Sequence, residues 1–245
     1  MRGLLLAAGE GTRLRPLTLD RPKAMVEIAG RPAVAYALDW LQRNGVTEAA
    51  INLYHRPDVL QAYVADGSKF GVSIRYSLEA PRVLGTAGAL GPLRDFFQDE
   101  DEFLVLYGDV VTDLDLGPVL AKHRAAGADV TVVVNRVEDP AQSGMVVFDG
   151  DGRILQFVEK PDRRQVPSEW GNAGIYVCGP RVLDYIGSVI PQDFAYDVFP
   201  KMLAAGRKLV AYPTTAHVFE FGSIERLAKA RAAVGNGLLK VPVRA

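Results

Sequence analysis

The amino-acid sequence predicts an α/β protein built on an open, mostly parallel sheet with helices on both faces. Two observations carry this prediction. Strand-like apolar runs alternate with helix-like patterns through the first half of the chain. The first run, GLLLAA at residues 3–8, is continuously apolar, as expected of a strand that is covered on both faces. With 245 residues, 49% hydrophobic and 23% charged, the chain can bury a substantial core and is not of disordered composition.

The elements follow in order from this first strand. A helix is predicted at residues 33–44, because Val34, Leu38 and Leu41 share one helical face and Gly45 can end the helix. Further strands and helices continue the alternation: strands at 49–54, 73–77, 102–107 and 129–134, and helices near 57–66, 86–97 and 116–126.

After residue 140 the strands become shorter. The segments GMVVFD and RILQFVEK flank a turn at Asp149–Gly152, which predicts a hairpin, and AGIYVC follows as a further strand. Helices near 180–187, 195–205 and 223–234 alternate with the strand-like segments KLVAY and HVFEF. We therefore expect a Rossmann-like mixed sheet with a small β-hairpin lobe, one domain over residues 1–235 and a tail over 236–245.

Composition excludes several classes of protein. The 28 basic and 29 acidic residues nearly cancel, so the net positive field of a general nucleic-acid binder is missing. A lone cysteine, Cys178, excludes an intramolecular disulfide framework. The apolar run that starts at Leu4 is too short for a signal peptide, and no segment has the roughly 20 apolar residues needed to span a bilayer. We expect a cytoplasmic protein without a membrane partner; a homo-oligomer is neither predicted nor excluded.

The loop after the first strand is the most informative segment. It reads LAAGEGTRLRPLT at residues 6–18 and leads to RPK at 21–23, with four cations within eleven residues: Arg13, Arg15, Arg21 and Lys23. A dinucleotide fingerprint would need a glycine where Leu14 stands, and no Walker A triplet is present. Glycine-exposed N–H groups together with clustered cations suit a small polyphosphate. A tight turn without a ligand is the structural alternative for Gly9 and Gly11.

These residues resemble the signature of the sugar-1-phosphate nucleotidyltransferases. The resemblance continues in order through LGTAGAL (84–90), YGD (107–109), VEKP (158–161), GNAGIYV (171–177) and FEFGS (219–223), and so covers about residues 1–230. It implies transfer of a nucleotide from a nucleoside triphosphate to a sugar 1-phosphate, with GTP and mannose 1-phosphate as the first choice. Uridylyl or thymidylyl transfer to another hexose or heptose 1-phosphate, and a non-catalytic regulatory homologue, stay open as alternatives.

The resemblance also implies residue roles. Arg13 and Lys23 would hold the triphosphate, and together with Asp109 they are the candidate catalytic residues. The full nucleotide site would consist of Leu6, Ala8, Gly9, Gly11, Thr12, Arg13, Lys23, Glu79, Gly85, Thr86 and Ala87. Without the resemblance, Thr86 reads as a helix N-cap and Glu79 as a solvated acid at a strand end.

Metal and sugar ligands follow from the same resemblance. Asp109 would bind Mg²⁺, although an acid after a strand can also cap a helix. The second ligand would be Glu220, where the family has an aspartate; its extra methylene moves the carboxylate by about a bond length, and a surface position on an edge strand is the alternative. The predicted sugar-phosphate site consists of Gly144, Glu159, Lys160 and Asn172.

The remaining candidates predict no second chemistry. His55, His123 and His217 lie far apart in the sequence without ligand spacing, and Cys178 has no visible partner. We therefore expect neither a zinc site nor a Cys/His hydrolase.

Overall fold

A computed structural model gives the fold of the chain. It describes residues 1–137, 139–140, 143–159, 161–162, 164 and 166–239, and of Glu159 only the backbone. The strands of this part are β1 Arg2–Leu6, β2 Glu27–Ile28, β3 Arg31–Pro32, β4 Glu48–Leu53, β5 Ser73–Leu78, β6 Phe103–Tyr107, β7 Val110–Thr112, β8 Val130–Arg136, β9 Gly144–Phe148, β10 Ile154–Glu159, β11 Trp170–Cys178, β12 Leu209–Pro213 and β13 Val218–Glu220. The α-helices are α1 Ala33–Arg43, α2 Pro57–Val64, α3 Arg94–Phe97, α4 Leu116–Ala126, α5 Phe199–Ala204 and α6 Ile224–Gly235.

The chain divides into two compact units. Unit 1 comprises Met1–Val83, Leu106–Leu114 and the residues from Ala216 onward. In it β1 pairs in parallel with β4 and β4 in parallel with β5, with Leu6 opposite Asn52 and Asn52 opposite Ser77. The short strands β7 and β13 form an antiparallel pair. Parallel strands that end together create one edge at which loops and side chains can meet.

Unit 2 comprises Leu84–Val105 and Asp115–Thr215. Here β8 pairs in parallel with β12 and antiparallel with β11, and β9 pairs antiparallel with β10. The turn between β9 and β10 is closed by Asp149, whose side chain accepts the N–H groups of Asp151 and Arg153 at 3.0 and 2.9 Å. Gly152 adopts a left-handed φ of 85° in this turn.

These pairings confirm the predicted open, mixed and mostly parallel α/β sheet. The hairpin at Asp149–Gly152 is confirmed as well. α6 ends at Gly235, and residues 240–245 of the predicted tail lie outside the described residues; the division into a domain over 1–235 and a tail stays a prediction. A single domain stays a prediction, since two contact units can belong to one domain.

Three predicted helices differ from the structure. The expected helix at 86–97 is a 3₁₀ helix at Gly88–Leu93 followed by the four residues of α3. Pro92 lacks an N–H, which prevents a regular α-helix there. A 3₁₀ helix also replaces the expected helix after residue 180, and a short π-helix at Phe194–Val198 precedes α5. Local hydrophobic spacing does not distinguish these helix types over so few residues.

One strand was missed, and it matters for the site. The predictions placed either a metal ligand or a helix cap at Asp109, but the residues that follow it form β7. Asp109 therefore caps no helix. Pairing of β7 with β13 sets Val110 opposite Glu220, two residues that are far apart in the sequence.

Candidate active site

The glycine loop of unit 1 has a fixed conformation. Gly11 lies in the left-handed region, with φ of 64°, and begins a 3₁₀ helix at Thr12–Leu14. The hydroxyl of Thr18 donates to the carbonyl of Gly11 at 2.8 Å, and the Nε2 atom of His55 hydrogen-bonds to the carbonyl of Thr18 at 2.9 Å. A Cβ at Gly11 would lie 3.0 Å from Cγ2 of Thr18, so the turn favours glycine for its φ and for its space.

The four cations of this loop separate into two pairs. Two of them meet a nearby acid: Arg15 lies 3.7 Å from Glu10, and Arg21 lies 3.1 Å from Asp20. The hydrogen bond from Arg21 lowers the pKa of the exposed Asp20 carboxyl. Both local pairs are largely exposed, so they contribute little to stability.

The other two cations, Arg13 and Lys23, lie beside acids that are distant in the sequence. Lys23 forms an ion pair with Asp109, and the two side chains are 15% and 16% exposed. Arg13 approaches Gly222, where a Cβ would lie 3.1 Å from its Nη2 atom. The structure thus separates the two cations predicted to hold phosphate from the two that are neutralised locally.

Gly108 brings Asp109 to the end of β1. Its N–H donates to the carbonyl of Leu6 at 2.8 Å, and a Cβ at residue 108 would lie 2.5 Å from that oxygen. The carbonyl of Asp109 in turn accepts the N–H of Phe221 at 3.0 Å. Backbone contacts on both sides therefore fix the position of the Asp109 backbone, from which the carboxylate extends to Lys23.

Glu220 lies at the end of β13, opposite Val110 of β7. Its carboxylate pairs with Arg226, near the start of α6, and the two side chains are 35% and 27% exposed. A Cβ at Gly222 would overlap Oε1 of Glu220, so this carboxylate and the Arg13 guanidinium both border Gly222. Glu220 therefore has two guanidinium groups as neighbours.

One hydrophobic cluster anchors these segments. It contains Leu14 of the glycine loop, Val111 of β7, Phe221 after β13 and Leu227 of α6, all at most 1% exposed. Leu14 follows Arg13 directly, and Phe221 follows Glu220. Burial of these apolar side chains holds the polar groups between them in place. The ring of Phe221 also lies 5.8 Å from Nζ of Lys23.

Glu79 is buried rather than solvated at its strand end. It is 2% exposed and accepts a hydrogen bond from the Asn52 side chain at 2.8 Å. The Oδ1 atom of Asn52 accepts the N–H of Ala7 at 2.7 Å, just after β1. Asn52 was missed from the sequence, although a polar residue within the apolar strand AAINLY is a usable signal.

The other nucleotide-site residues of unit 1 follow β1. Leu6 ends the strand, and its carbonyl accepts the N–H of Gly108. Ala8 is buried. Gly9 is exposed, and a Cβ placed there would have no atom within 4 Å. Thr12 is exposed at the start of the 3₁₀ helix. An open position at Gly9 leaves room for a ligand next to the backbone.

The segment Gly85–Ala87 of unit 2 packs against the backbone of Gln192. The N–H groups of Ala87 and Gly88 both donate to the Gln192 carbonyl at 3.0 Å. A Cβ at Gly85 would overlap the backbone of Gln192. The space that the missing side chain leaves is therefore occupied by Gln192 and not by a ligand.

Thr86 does not cap a helix, so the alternative prediction of a helix N-cap at this residue is wrong. Its hydroxyl donates to Asp193 at 2.6 Å and accepts the N–H of Phe194 at 3.1 Å, while Ala87 stands at the N-cap position. The threonine therefore joins this segment to the start of the π-helix.

Three of the predicted sugar-site residues lie on strands of unit 2. Gly144 of β9 is directly opposite Glu159 of β10, and the next residue of β9, Met145, is opposite Gly171 of β11. Asn172, also on β11, donates to the hydroxyl of Tyr176 at 2.7 Å and accepts the N–H of Gly174 at 3.0 Å. Lys160 lies outside the described residues.

Two carboxylates fit the demands of a Mg²⁺ site. Asp109 and Glu220 supply hard oxygen donors at the ends of neighbouring segments, and Mg²⁺ takes one or two carboxylates together with phosphate and water. Among the residues that the structure describes, no group of three or more His, Cys, Asp or Glu side chains forms a metal cluster. With two carboxylates, a Mg²⁺ site here would need further oxygen ligands from substrate phosphate or water.

The histidines and the cysteine have structural contacts. Nδ1 of His123 hydrogen-bonds to the Thr131 hydroxyl at 2.9 Å, and burial lowers the pKa of this imidazole. His217 pairs with Asp113 at 3.0 Å. Cys178 is fully buried on β11, and burial raises the pKa of its thiol, which disfavours the reactive thiolate.

The helices of the described part are all too short or too polar to cross a lipid bilayer.

Known proteins resemble this chain in sequence over most of its length. The UTP–glucose-1-phosphate uridylyltransferase of Synechocystis is 38% identical over 218 residues, which cover 84% of this chain and 56% of the relative. The mannose-1-phosphate guanylyltransferase catalytic subunit beta of Dictyostelium discoideum is 38% identical over 206 residues, which cover 83% and 56%. The chain thus spans about half the length of these relatives.

A solved structure is similar over almost the whole chain. It is a candidate glucose-1-phosphate thymidylyltransferase from Bacillus anthracis, crystallised with sucrose, with a TM-score of 0.84 and 25% identity over 95% of this chain and 94% of that one. The family model described as nucleotidyl transferase matches residues 2–236. The chain therefore belongs to the nucleotidyl transferase family, as a sugar-1-phosphate nucleotidyltransferase homologue.

Proposed function

We propose that this chain joins a nucleoside triphosphate to a sugar 1-phosphate and releases pyrophosphate. The observation that supports this most is the gathering of Arg13, Lys23, Asp109 and Glu220 within unit 1 of a chain from the nucleotidyl transferase family. Two cations and two carboxylates in one place match the needs of a metal-bound triphosphate.

The chemistry needs positioning more than acid–base assistance. The phosphate oxygen of the sugar 1-phosphate is already a nucleophile, so no covalent intermediate and no strong general base are required. Arg13 offers a fork of N–H donors for phosphate oxygens, and Lys23 offers a point charge. In this proposal they hold the α-phosphate in line for attack and neutralise the charge that develops on the phosphate oxygens.

Asp109 and Glu220 would hold the metal, for which we propose Mg²⁺. Enzymes of this family generally use divalent metal ions. A bound Mg²⁺ supplies charge neutralisation to the phosphates. Lys23 already lies beside Asp109, so a phosphate that approaches the carboxylate-bound cation also approaches this ammonium group.

GTP and mannose 1-phosphate are the first choice of substrates, supported by the Dictyostelium relative. In the structure Glu79 is 2% exposed and bonded to Asn52, so it reaches a base edge only if that contact opens; its carboxylate would then accept from the two neighbouring N–H donors of guanine. Uracil and thymine present one N–H donor flanked by carbonyl oxygens. The Synechocystis relative supports the alternative, a uridylyltransferase acting on glucose 1-phosphate. Because nucleoside triphosphates are cytoplasmic metabolites, we propose a cytoplasmic location.

Pyrophosphate release over a grid of triphosphates and sugar 1-phosphates, with Mg²⁺, tests the proposal. We expect one combination to dominate, and Arg13→Ala to reduce its turnover by about 100-fold or more, the effect typical of a lost transition-state donor. Arg15→Ala is the matched control, because its guanidinium is paired with Glu10, and it should stay within a few-fold of the native chain.

Two results would contradict this proposal. Equal losses in the Arg13 and Arg15 variants would show that Arg13 has no special role. A chain that binds nucleotide sugar but releases no pyrophosphate across a broad grid would instead be a regulatory homologue, an alternative that the pairing of Glu220 with Arg226 favours.

A further inference from the structure

Each of the two candidate metal carboxylates already has a cationic partner. Asp109 pairs with Lys23, and Glu220 pairs with Arg226. The two partners differ in origin. Lys23 belongs to the glycine loop and has a proposed role toward the phosphates, whereas Arg226 lies on α6 and has none so far. Arg226 therefore does not share the phosphate-binding role proposed for Lys23.

Arg226 acts on a carboxylate that is crowded by positive charge. Oε2 of Glu220 pairs with Arg226, while Oε1 borders Gly222 together with Nη2 of Arg13. A divalent cation that approaches Glu220 must either displace a guanidinium group or bind next to it, and like charges close together repel. Because Glu220 and Arg226 are roughly one-third exposed, solvent weakens this repulsion without removing it.

Arg226 also has a defined anchor. It lies in the first turn of α6, whose N-terminus is capped by Ser223 through a hydrogen bond from the Arg226 N–H at 3.3 Å. The next residue, Leu227, is 1% exposed in the cluster that also contains Phe221. The cap and the cluster thus hold the backbone of Arg226 at a position from which its side chain pairs with Glu220.

We propose that Arg226 is a positioning residue that holds the Glu220 carboxylate and competes with the divalent metal for it. This inference rests on the proposed metal site. Without bound substrate, Glu220 is neutralised by Arg226, and the chain alone binds a divalent cation weakly. Tight metal binding then requires the additional negative charge of the triphosphate. Arg226 thereby couples the arrival of the metal to that of the nucleotide.

Direct titration with Mn²⁺ in the absence of nucleotide tests this competition without measuring activity. Bound Mn²⁺ is detected by water-proton relaxation, and Mn²⁺ stands in for Mg²⁺ as a hard divalent cation. Arg226→Met removes the guanidinium and keeps much of the side-chain length. We expect this variant to lower the Mn²⁺ dissociation constant by about tenfold. This is the size of the repulsion between one unit charge and a nearby divalent cation in a water-like dielectric. Arg226→Lys should stay near the native value because the competing charge is retained.

Two further variants separate competition at Glu220 from a general charge effect. Arg231→Met removes one positive charge from the same helix, where Arg231 donates to the carbonyl of Glu27 at 3.0 Å, and it should leave Mn²⁺ binding unchanged within twofold. Adding Glu220→Gln to Arg226→Met should abolish the gain. Thermal melting of each variant confirms that the chains compared are folded.

The outcomes distinguish this inference from the proposed function. An unchanged or weaker Mn²⁺ affinity in Arg226→Met, or a gain that survives Glu220→Gln, overturns the role of Arg226 and leaves the transferase proposal standing. If neither the native chain nor any variant binds Mn²⁺, while pyrophosphate release still requires a divalent cation, the metal site at Asp109 and Glu220 is wrong, and the inference fails with it.

Discussion

Gly108→Ala is expected to destabilise unit 1 strongly, although it adds one methyl group. The new Cβ would lie 2.5 Å from the carbonyl oxygen of Leu6, and backbone cannot rotate away as a side chain can. Leu6 is held in register opposite Asn52 of β4. Overpacking costs about 1–3 kcal/mol, and weakening of the hydrogen bond from Gly108 to Leu6 adds about 1 kcal/mol. The expected loss of unfolding free energy is therefore about 2–4 kcal/mol.

Two other glycines of the same unit provide matched controls. A Cβ at Gly9 has no neighbour within 4 Å, and its φ is outside the left-handed region, so Gly9→Ala should change stability by less than about 1 kcal/mol. A Cβ at Gly222 would meet mainly the end of the Glu220 side chain, which can rotate. Gly222→Ala should therefore also stay within about 1 kcal/mol of the native chain while it displaces that carboxylate.

Urea unfolding followed by tryptophan fluorescence can report on unit 1 alone. The chain has two tryptophans: Trp40 is 2% exposed in unit 1, and Trp170 lies in unit 2. In a Trp170→Phe background, the signal of Trp40 follows the unfolding of the unit that contains the glycines. If Gly108→Ala unfolds at the same urea concentration as Gly9→Ala, the close approach of Gly108 to Leu6 is refuted.

Three further predictions concern single side chains. Asp109→Asn should lower turnover by about 100-fold or more. It should lower the unfolding free energy by only about 1–2 kcal/mol, because the amide oxygen still accepts a hydrogen bond from Lys23. Near-native turnover in steady-state kinetics would contradict this prediction. Asn52→Leu leaves the Ala7 N–H and the Glu79 carboxylate without this partner and should cost about 2–5 kcal/mol in urea unfolding, whereas a loss below about 1 kcal/mol would show that the bridge is dispensable. Burial lowers the pKa of His123 below that of the unfolded chain, so the folded state binds fewer protons and stability should fall as pH drops below about 6.5; His123→Gln should flatten this dependence, and an unchanged slope between pH 7.5 and 5.5 would refute it.

The sequence predicts well those elements that are set by local patterns. Apolar spacing and Gly45 predict a helix at 33–44, which the structure has as α1 Ala33–Arg43, and the turn residues predict the hairpin at Asp149. Pro92 interrupts the regular spacing, and there the predicted helix is wrong. Helix type over a few residues depends on hydrogen-bond partners that periodicity does not contain.

The site itself depends on pairings between distant segments. β7 has three residues, too few for a pattern, yet its register with β13 sets Val110 opposite Glu220. Asn52 and Arg226 were missed for a related reason, because each acts through a partner on another element. Asn52 bonds to Glu79, 27 residues away, and Arg226 pairs with Glu220, 6 residues away. The resemblance to a family supplied Asp109, Glu220 and Lys23 as candidates, but it did not supply Arg226, the cation that pairs with Glu220.

Both candidate metal carboxylates stand near a glycine whose missing side chain makes room. Gly108 precedes Asp109 and lets its backbone touch the carbonyl of Leu6, and Gly222 follows Glu220 and leaves space for its carboxylate. Neither glycine has a positive φ, so glycine is not required there for its backbone conformation. Instead, a side chain at either position would collide with a neighbouring atom. Hydrophobic periodicity records which side chains are buried, but it does not record where a side chain must be absent. The geometry of this site is therefore specified partly at positions that local sequence patterns treat as ordinary turn residues, and substitutions there test it more directly than truncation of the charged groups.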